Sequence, residues 1–218
     1  MQETMLDEKE SIFVFGASGH AKVVIDAIEK QGAFKIAFLI DDNKALWGQD
    51  FYGYPVYGGR ETLVAESQEI LTDRGIVAIG ENNIRLKVAE WLVKNGFKLV
   101  SVIHPSVQIA RGVKVGRGSV IMAGCIINSD AVIGENAIIN TAATVDHDCA
   151  VGNGVHIAPG SHLCGNVQVG EGSLIGAASV ITPGISIGNG VVVGAGSTVI
   201  KNVNENEKVV GSPARIVK

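Results

Sequence analysis

A six-residue beat fills the second half of this chain and constrains its fold more than any other feature. Every sixth residue from Ile109 to Val199 is aliphatic: Ile109, Val115, Ile121, Ile127, Ile133, Ile139, Val145, Val151, Ile157, Leu163, Val169, Ile175, Ile181, Ile187, Val193 and Val199, sixteen positions without a miss. Two residues ahead of these stand small or β-branched side chains, among them Val113, Ser119, Cys125, Ala131, Ala137, Ala143 and Cys149. Gly116, Gly134, Gly152, Gly170 and Gly188 recur every eighteen residues. Self-similarity at a fixed period marks a solenoid, because each repeat buries its apolar face only by stacking on the next.

A beat of six nested in a beat of eighteen gives three short strands per coil, with like corners stacked on each other. Each coil adds roughly 4.8 Å of height, so about five coils build a triangular prism on the order of 25 Å tall. Ile and Val fill the inside, and Gly, Asn and Asp sit at corners that need unusual backbone angles. An ordinary sandwich of short strands would not hold one register over so many repeats. The expected fold is a parallel β-helix over 107–202, with a tail at 203–218.

Ahead of the prism the pattern changes. Residues 1–10 are acidic and polar, and are expected to form a flexible extension rather than a signal peptide or membrane span. Over 11–103 strands alternate with helices: Ser11–Phe15, Lys35–Ile40, Gly75–Ile79 and Phe97–Ile103 as strands, with helices after Gly19, near Glu61–Ile70 and over Asn82–Asn95. The last helix is expected to bury Ile84, Val88, Trp91 and Leu92 on one face. Such alternation predicts a small parallel sheet of Rossmann-like type, and His104-Pro105-Ser106 is expected to act as the hinge into the prism. A net charge of −4 gives no bias toward nucleic acid or a membrane surface. The three cysteines have neither disulfide nor metal spacing, which fits a reducing cytoplasm. Cys125 and Cys149 fall on inward small-residue positions and are expected to pack in the core.

Gly16-Ala-Ser-Gly19-His20 joins the first strand to a helix, so free N–H groups and the positive helix end can face a phosphate. Asp41-Asp42 closes the second strand, where a ribose or base edge lies in such folds. The motif lacks the three-glycine dinucleotide fingerprint, and a tight turn with no ligand is the competing reading.

Sorting outward-pointing residues by eighteen separates the three faces of the prism. One carries Val120, Ile138, His156, Leu174 and Val192, which is too apolar for a surface left in water and is expected to be a subunit interface. The second carries Lys114, Val132, Ala150, Gln168 and Ser186; the third carries Gln108, Ile126, Thr144, His162, Val180 and Thr198. The polar exception is Asp146-His147-Asp148, at the corner between the second and third faces. A histidine between two acids is held in one tautomer or shifted upward, and both suit proton transfer near neutral pH; a solvated corner histidine is the bland alternative. Gly165 lies one coil on, leaving room above His147 and offering its N–H to a developing oxyanion. His156, mid-face, is not expected to meet His147 within one chain. His156 and His162 fall on different faces, so no metal site is expected.

The hexads, the Gly16–His20 turn, the Asn140-Thr141…Asp146-His147-Asp148-Cys149 stretch and the closing Gly211-Ser-Pro213-Ala214 together resemble bacterial nucleotide-sugar acetyltransferases of the hexapeptide-repeat, left-handed β-helix type. The bacillosamine- and perosamine-pathway N-acetyltransferases are similar, with sialic acid O-acetyltransferases as relatives. Some members carry Glu beside the catalytic histidine; this chain has Asp148, as perosamine-type enzymes do. The resemblance implies a cytoplasmic homotrimer with active sites between subunits, taking acetyl-CoA and a UDP- or GDP-linked 4-amino-4,6-dideoxy sugar for surface glycan synthesis, with neither metal, nucleic acid nor membrane as partner. It implies His147 as base, Asp148 as its orienting partner, and Asn140, His156 and Gly165 at the acceptor or thioester. By the same resemblance Gly16, Ser18, Gly19, His20, Asp41, Asp42, Gly80 and Asn82 hold the nucleotide sugar, and Gly165, Ala177, Lys201, Gly211 and Pro213 lie along CoA. A sugar O-acetyltransferase and a non-catalytic nucleotide-sugar-binding scaffold are the alternatives, and a nicotinamide-dependent dehydrogenase is the least favoured.

Overall fold

A computed structural model describes residues 9–65 and 72–217. Residues 1–8 of the extension expected over 1–10 and the distal part of the expected helix near Glu61–Ile70 lie outside the described residues; Glu10, expected in that extension, instead opens the first strand and pairs with Phe34.

The N-terminal part is a six-stranded sheet flanked by helices. Its elements are β1 (Glu10–Phe15), α1 (Gly19–Gln31), β2 (Phe34–Ile40), β3 (Asp50–Phe51), β4 (Tyr54–Gly58), α2 (Arg60–Ala65), β5 (Arg74–Val77), α3 (Asn82–Lys94) and β6 (Lys98–Leu99). The strand order is β3-β4-β2-β1-β5-β6. Pairing is parallel apart from the β3–β4 hairpin, so the sheet is mixed rather than purely parallel. That hairpin forms where the sequence reads as a Gly/Tyr-rich loop: Tyr52 and Gly53, both at positive φ, make its turn.

Helix α3 differs in its buried face. It buries Asn82, Arg85, Val88, Ala89 and Leu92, while Ile84 is 52% exposed. The buried set follows the helical period from Leu92 back to Arg85, and Ile84 lies to the side of it.

The C-terminal part is a three-sided parallel β-helix whose two-residue strands pair with those eighteen residues away, as in Val120↔Ile138↔His156↔Leu174. Its three sheets have eight, six and five strands. The aliphatic positions form one continuous core running from Ile121 to Val209. The small inward residues close the coils on each other: Ser119 Oγ donates to the Gly134 carbonyl at 2.7 Å and accepts from Ala137 N at 3.0 Å. Cys125 and Cys149 are buried and donate to the carbonyls of Asn140 and Cys164. The eighteen-residue glycines mark close approach of successive coils: a Cβ on Gly134 would come within 2.7 Å of Asn153 N.

The strand expected over Phe97–Ile103 is divided. Lys98–Leu99 completes the first sheet, whereas Val102–Ile103 is already the first rung of the prism, paired with Val120–Ile121. Residues 104–106, expected as a hinge, instead form a hydrogen-bonded corner: His104 N donates to Ile121 O at 2.9 Å and Ser106 Oγ accepts from Gly124 N at 3.0 Å.

Part of the apolar face is already covered within the single chain. Val120 and Ile138 are 1% and 0% exposed within the single chain. Val120 joins Met122, Val102 and α1 residues Ala21, Val24 and Ile28 in one cluster. The face needed an apolar cover, and α1 of the same chain supplies it at the Val120 coil. Exposed apolar residues of the prism lie elsewhere, among them Ile126 and Val132 (42% and 44%) on the other two faces.

Candidate active site

Two constellations stand on the same coils of the prism. The first is the corner at 146–149, between the strands Thr144–Val145 and Ala150–Val151. Asp148 occupies the left-handed turn position with φ 60°, which Asp tolerates better than most residues. This turn brings its Oδ2 to 2.8 Å from His147 Nδ1. Asp146 Oδ1 accepts from His147 N at 2.8 Å and from Asn128 Nδ2 at 2.9 Å. The hydrogen bond to Asp148, reinforced by the charge of Asp146, holds the imidazole above its ordinary pKa. With Nδ1 turned to Asp148, Nε2 is the free ring nitrogen, and it lies over Gly165: a Cβ there would be 2.6 Å from Nε2. Gly165 N–H makes no hydrogen bond with any described residue. Burial raises the Cys149 thiol, consistent with a packing role.

The second constellation lies where the N-terminal part meets the apolar face. His156 Nε2 is 3.0 Å from Asn140 Nδ2, and Asn140 Oδ1 accepts from Thr141 N at 2.8 Å, which fixes the amide orientation. The His156 ring faces His20, with centroids 6.4 Å apart. Burial, then the nearby Arg85 cation, pushes both rings down to about 4, so both are neutral at pH 7. Among the described residues His20 Nε2 is buried without a partner. A groove of about 310 Å³ opens above His156, lined among others by Gly80, Glu81, Asn83, Leu174 and Val192.

The Gly16–His20 turn opens toward solvent. Gly16 has φ 119°, and a Cβ there would meet the Ala78 carbonyl at 2.9 Å, so only glycine fits. Ser18 is exposed and its side chain makes no cap, and Gly19 has open space around it. Asp41 holds this turn: Oδ2 accepts from Ala17 N and Oδ1 from Asn43 N, both at 2.8 Å. Asp42 pairs with Arg60 at 2.7 Å. Asn82 also lines the groove, and its amide ties α3 to the prism by donating to the carbonyls of Gly172 and Ser173 and accepting from Arg85.

The residues expected along CoA bracket one face. Gly165 and Lys201 share a corner register two coils apart, whereas Ala177 and the Gly211–Pro213 turn lie at the opposite edge of the Val180 and Thr198 strands. Gly211 O accepts from Thr198 N at 3.0 Å, and Ala214 N donates to Thr198 O at 2.8 Å, folding the tail onto that edge. Lys201 and Arg215 line a cleft of about 410 Å³ at the end of the prism. Among the described residues no cluster of metal-ligating side chains forms, and no helix is long and apolar enough to cross a membrane.

Arg85 is the site residue that sequence reasoning missed. Its signal was the helix phase, since it lies three and seven residues before Val88 and Leu92.

A solenoid of this kind, with a histidine–carboxylate corner and an α/β cap, defines an acyltransferase architecture, and comparison with known proteins narrows the class. Residues 11–92 match the PglD N-terminal domain, 105–129 the hexapeptide repeat of succinyl-transferase, and 166–201 the bacterial transferase hexapeptide. The chain is similar to perosamine N-acetyltransferase from Caulobacter crescentus, solved with CoA and GDP-perosamine: 38% identity, TM-score 0.90, covering 95% of this chain and 97% of that one. It is also similar to the acetyltransferase domain of PglB from Neisseria gonorrhoeae (34% identity, TM-score 0.87, 96% and 100% covered), which has also been solved with acetyl coenzyme A. UDP-N-acetylbacillosamine N-acetyltransferase of Bacillus subtilis is 35% identical over 104 residues, 47% of this chain and 46% of that protein. The chain belongs to the nucleotide-sugar N-acetyltransferase family of left-handed β-helix acyltransferases.

Proposed function

We propose that this protein transfers the acetyl group of acetyl-CoA to the amine of a UDP- or GDP-linked 4-amino-4,6-dideoxy sugar, as a cytoplasmic homotrimer serving surface glycan synthesis. The observation that carries this reading is the separation of the two constellations. His20, Asn140 and His156 lie against the N-terminal part, while His147, Asp148 and Gly165 lie at a corner a whole side of the triangle away. Neither set alone can both hold an acceptor and activate it. A second copy presenting its 146–149 corner to the His156 groove completes the site, and the exposed Ile126 and Val132 flanking that corner give such a contact its apolar area. The relatives with bound CoA and GDP-perosamine support the ligand classes.

Within such a site each residue takes a role that its position supports. The exposed N–H groups of the Gly16–His20 turn and the positive end of α1 favour the diphosphate. Asp41, which holds that turn, and Asp42 stand toward the nucleoside. Asn140 and His156 present a neutral, oriented pair to the acceptor. His147 Nε2 takes the proton that the amine loses as its nitrogen bonds to the thioester carbon, and returns it to the sulfur as the C–S bond breaks. Asp148 fixes the tautomer, and Gly165 N–H points to the carbonyl oxygen. Ala177, Lys201, Gly211 and Pro213 line the path of CoA along the bracketed face. Thiol release from acetyl-CoA in the presence of UDP- and GDP-linked amino sugars, with a sialic acid as the hydroxyl acceptor, tests the reading. Release with the sialic acid alone would assign an O-acetyltransferase, and none with any acceptor would leave a binding scaffold.

A further inference from the structure

The buried guanidinium of Arg85 has no role in the chemistry described above, yet it is among the most completely bonded groups in the molecule. Arg85 is 1% exposed. It donates five hydrogen bonds: Nε to Asn136 O at 2.9 Å, Nη1 to Ile79 O and Gly80 O at 3.1 and 3.0 Å, and Nη2 to Asn82 Oδ1 and Gly154 O, both at 2.8 Å. Among the described residues no carboxylate stands within ion-pair reach of it. A buried cation held by carbonyl dipoles alone is costly, and a fold needing only a strut would do better with an apolar residue. Its acceptors therefore indicate what the charge is for.

Those acceptors belong to three segments. Ile79 and Gly80 form the turn after β5, Asn82 opens α3, and Asn136 and Gly154 are equivalent turns of successive coils. Asn82 extends the series by donating to Gly172 and Ser173 on the next coil. The Gly80 carbonyl has a second neighbour, the His156 ring, and favours its N–H form. At the far side of that ring, Asn140 Nδ2 donates to Nε2, so the proton of neutral His156 belongs on Nδ1, the nitrogen left for Gly80. The ionisable groups around His156 are His20 on α1, Arg85 itself and Glu81, whose carboxylate caps α3 by accepting from Asn83 N and Ile84 N.

We propose that Arg85 is a positioning residue of the acceptor half of the site: by gathering the Gly80 turn, Asn82 and two prism turns, it fixes His156 in place as the neutral Nδ1–H tautomer. The ring then meets an incoming acceptor as a neutral surface of fixed orientation rather than as a second cation beside a sugar amine. Only the identity of that acceptor rests on the function proposed above.

The test uses the full chain as Arg85→Met and Arg85→Lys, with nitrogen-labelled histidine followed by NMR across pH and without ligand. His156 is assigned from a His156→Asn control. In Arg85→Met the His156 midpoint should rise by about one pH unit or more toward the ordinary value, with loss of the single tautomer. Arg85→Lys, which restores charge without the five-way fan, should return the midpoint toward the wild-type value. It should still raise KM for the nucleotide sugar about tenfold with KM for acetyl-CoA unchanged. A folded Arg85→Met protein with the wild-type midpoint and tautomer overturns the proposal. If only Arg85→Lys folds, a single Nδ1–H tautomer together with wild-type KM overturns it. If neither folds, Arg85 is a strut of the fold and the positioning role is lost. Because the titration needs no substrate, its result stands even if no nucleotide sugar is acetylated.

Discussion

Gly165 lies directly against the His147 ring: a single added methyl carbon at 165 would stand 2.6 Å from Nε2 and 2.7 Å from Cε1. Gly165 is not at a positive φ, so alanine meets no backbone penalty there. The whole cost of Gly165→Ala falls on the ring, which is exposed and free to swing away. Turnover should fall about 10²-fold, the usual consequence of displacing a reacting group by an ångström, while thermal stability changes by no more than about 0.5 kcal/mol. Initial rates beside a melting curve check this, and wild-type turnover would show that the observed ring position is not the working one.

Removing the base tests the proposed chemistry itself. His147→Ala should lower kcat about 10²- to 10⁴-fold and leave CoA affinity within about twofold, because the ring meets the bracketed face only at its Gly165 edge, away from Ala177, Lys201 and the Gly211–Pro213 turn. Calorimetric titration of CoA beside the rate measurement separates the two effects. Unchanged turnover would remove His147 from the mechanism.

Asp148 makes a cleaner electrostatic test than most residues, because asparagine tolerates its left-handed backbone (φ 60°). The raised pKa of His147 owes most to its hydrogen bond with Asp148. A base works only when deprotonated, so the acid limb of the kcat/KM profile in the wild type lies above the ordinary histidine value. Asp148→Asn should move that limb to lower pH and reduce the plateau about tenfold, through loss of tautomer control. A limb that stays put would mean another group titrates there.

The prism was legible in the sequence because its period is a packing requirement: a residue that must point inward every six positions cannot be polar without a partner. The His147 corner was legible for the converse reason, being acidic and polar inside that pattern. What covers a face is not encoded in the face. Val120 announces that something apolar lies on it, but α1 of the same chain and a second subunit make the same demand on sequence. Arg85 was hidden by its type, since arginine on a helix is usually solvated, and its five partners include four backbone carbonyls that leave no trace in composition. Asn82 was expected at the nucleotide sugar and does line the groove, but the tie of its amide to the Gly172 and Ser173 carbonyls of the prism leaves no trace in the sequence.

The proposed subunit contact sets the corner flanked by Ile126 and Val132 against the part of the apolar face left open at His156, Leu174 and Val192. Sedimentation should give three times the mass of the chain. Paired Ile126→Asp and Val132→Asp substitutions should shift it toward monomer and abolish turnover, since the two half-sites would separate. Each side chain is already more than two-fifths exposed in the single chain, so the folded monomer should survive. A fully active monomer would place both half-sites within one chain.

The facing rings of His20 and His156 make stability depend on pH in a direction opposite to that of His147. Burial, then Arg85, holds both near 4, against 6.5 in an unfolded chain. Between these values the unfolded state binds more protons than the folded one, so stability is complete above pH 6.5 and is lost as pH falls toward about 4. At about pH 5 the loss is of the order of 2 kcal/mol per ring, and less than twice that for the pair because they share one neighbouring cation. Most carboxylates titrate below this window, so the slope between about pH 6.5 and about pH 5 belongs chiefly to these two histidines. Urea unfolding at fixed protein concentration across that window should show the fall, and His156→Asn should flatten it by roughly half. A flat wild-type profile would mean that the rings are open to water and that the cleft between the two parts of the chain is wider than it stands here.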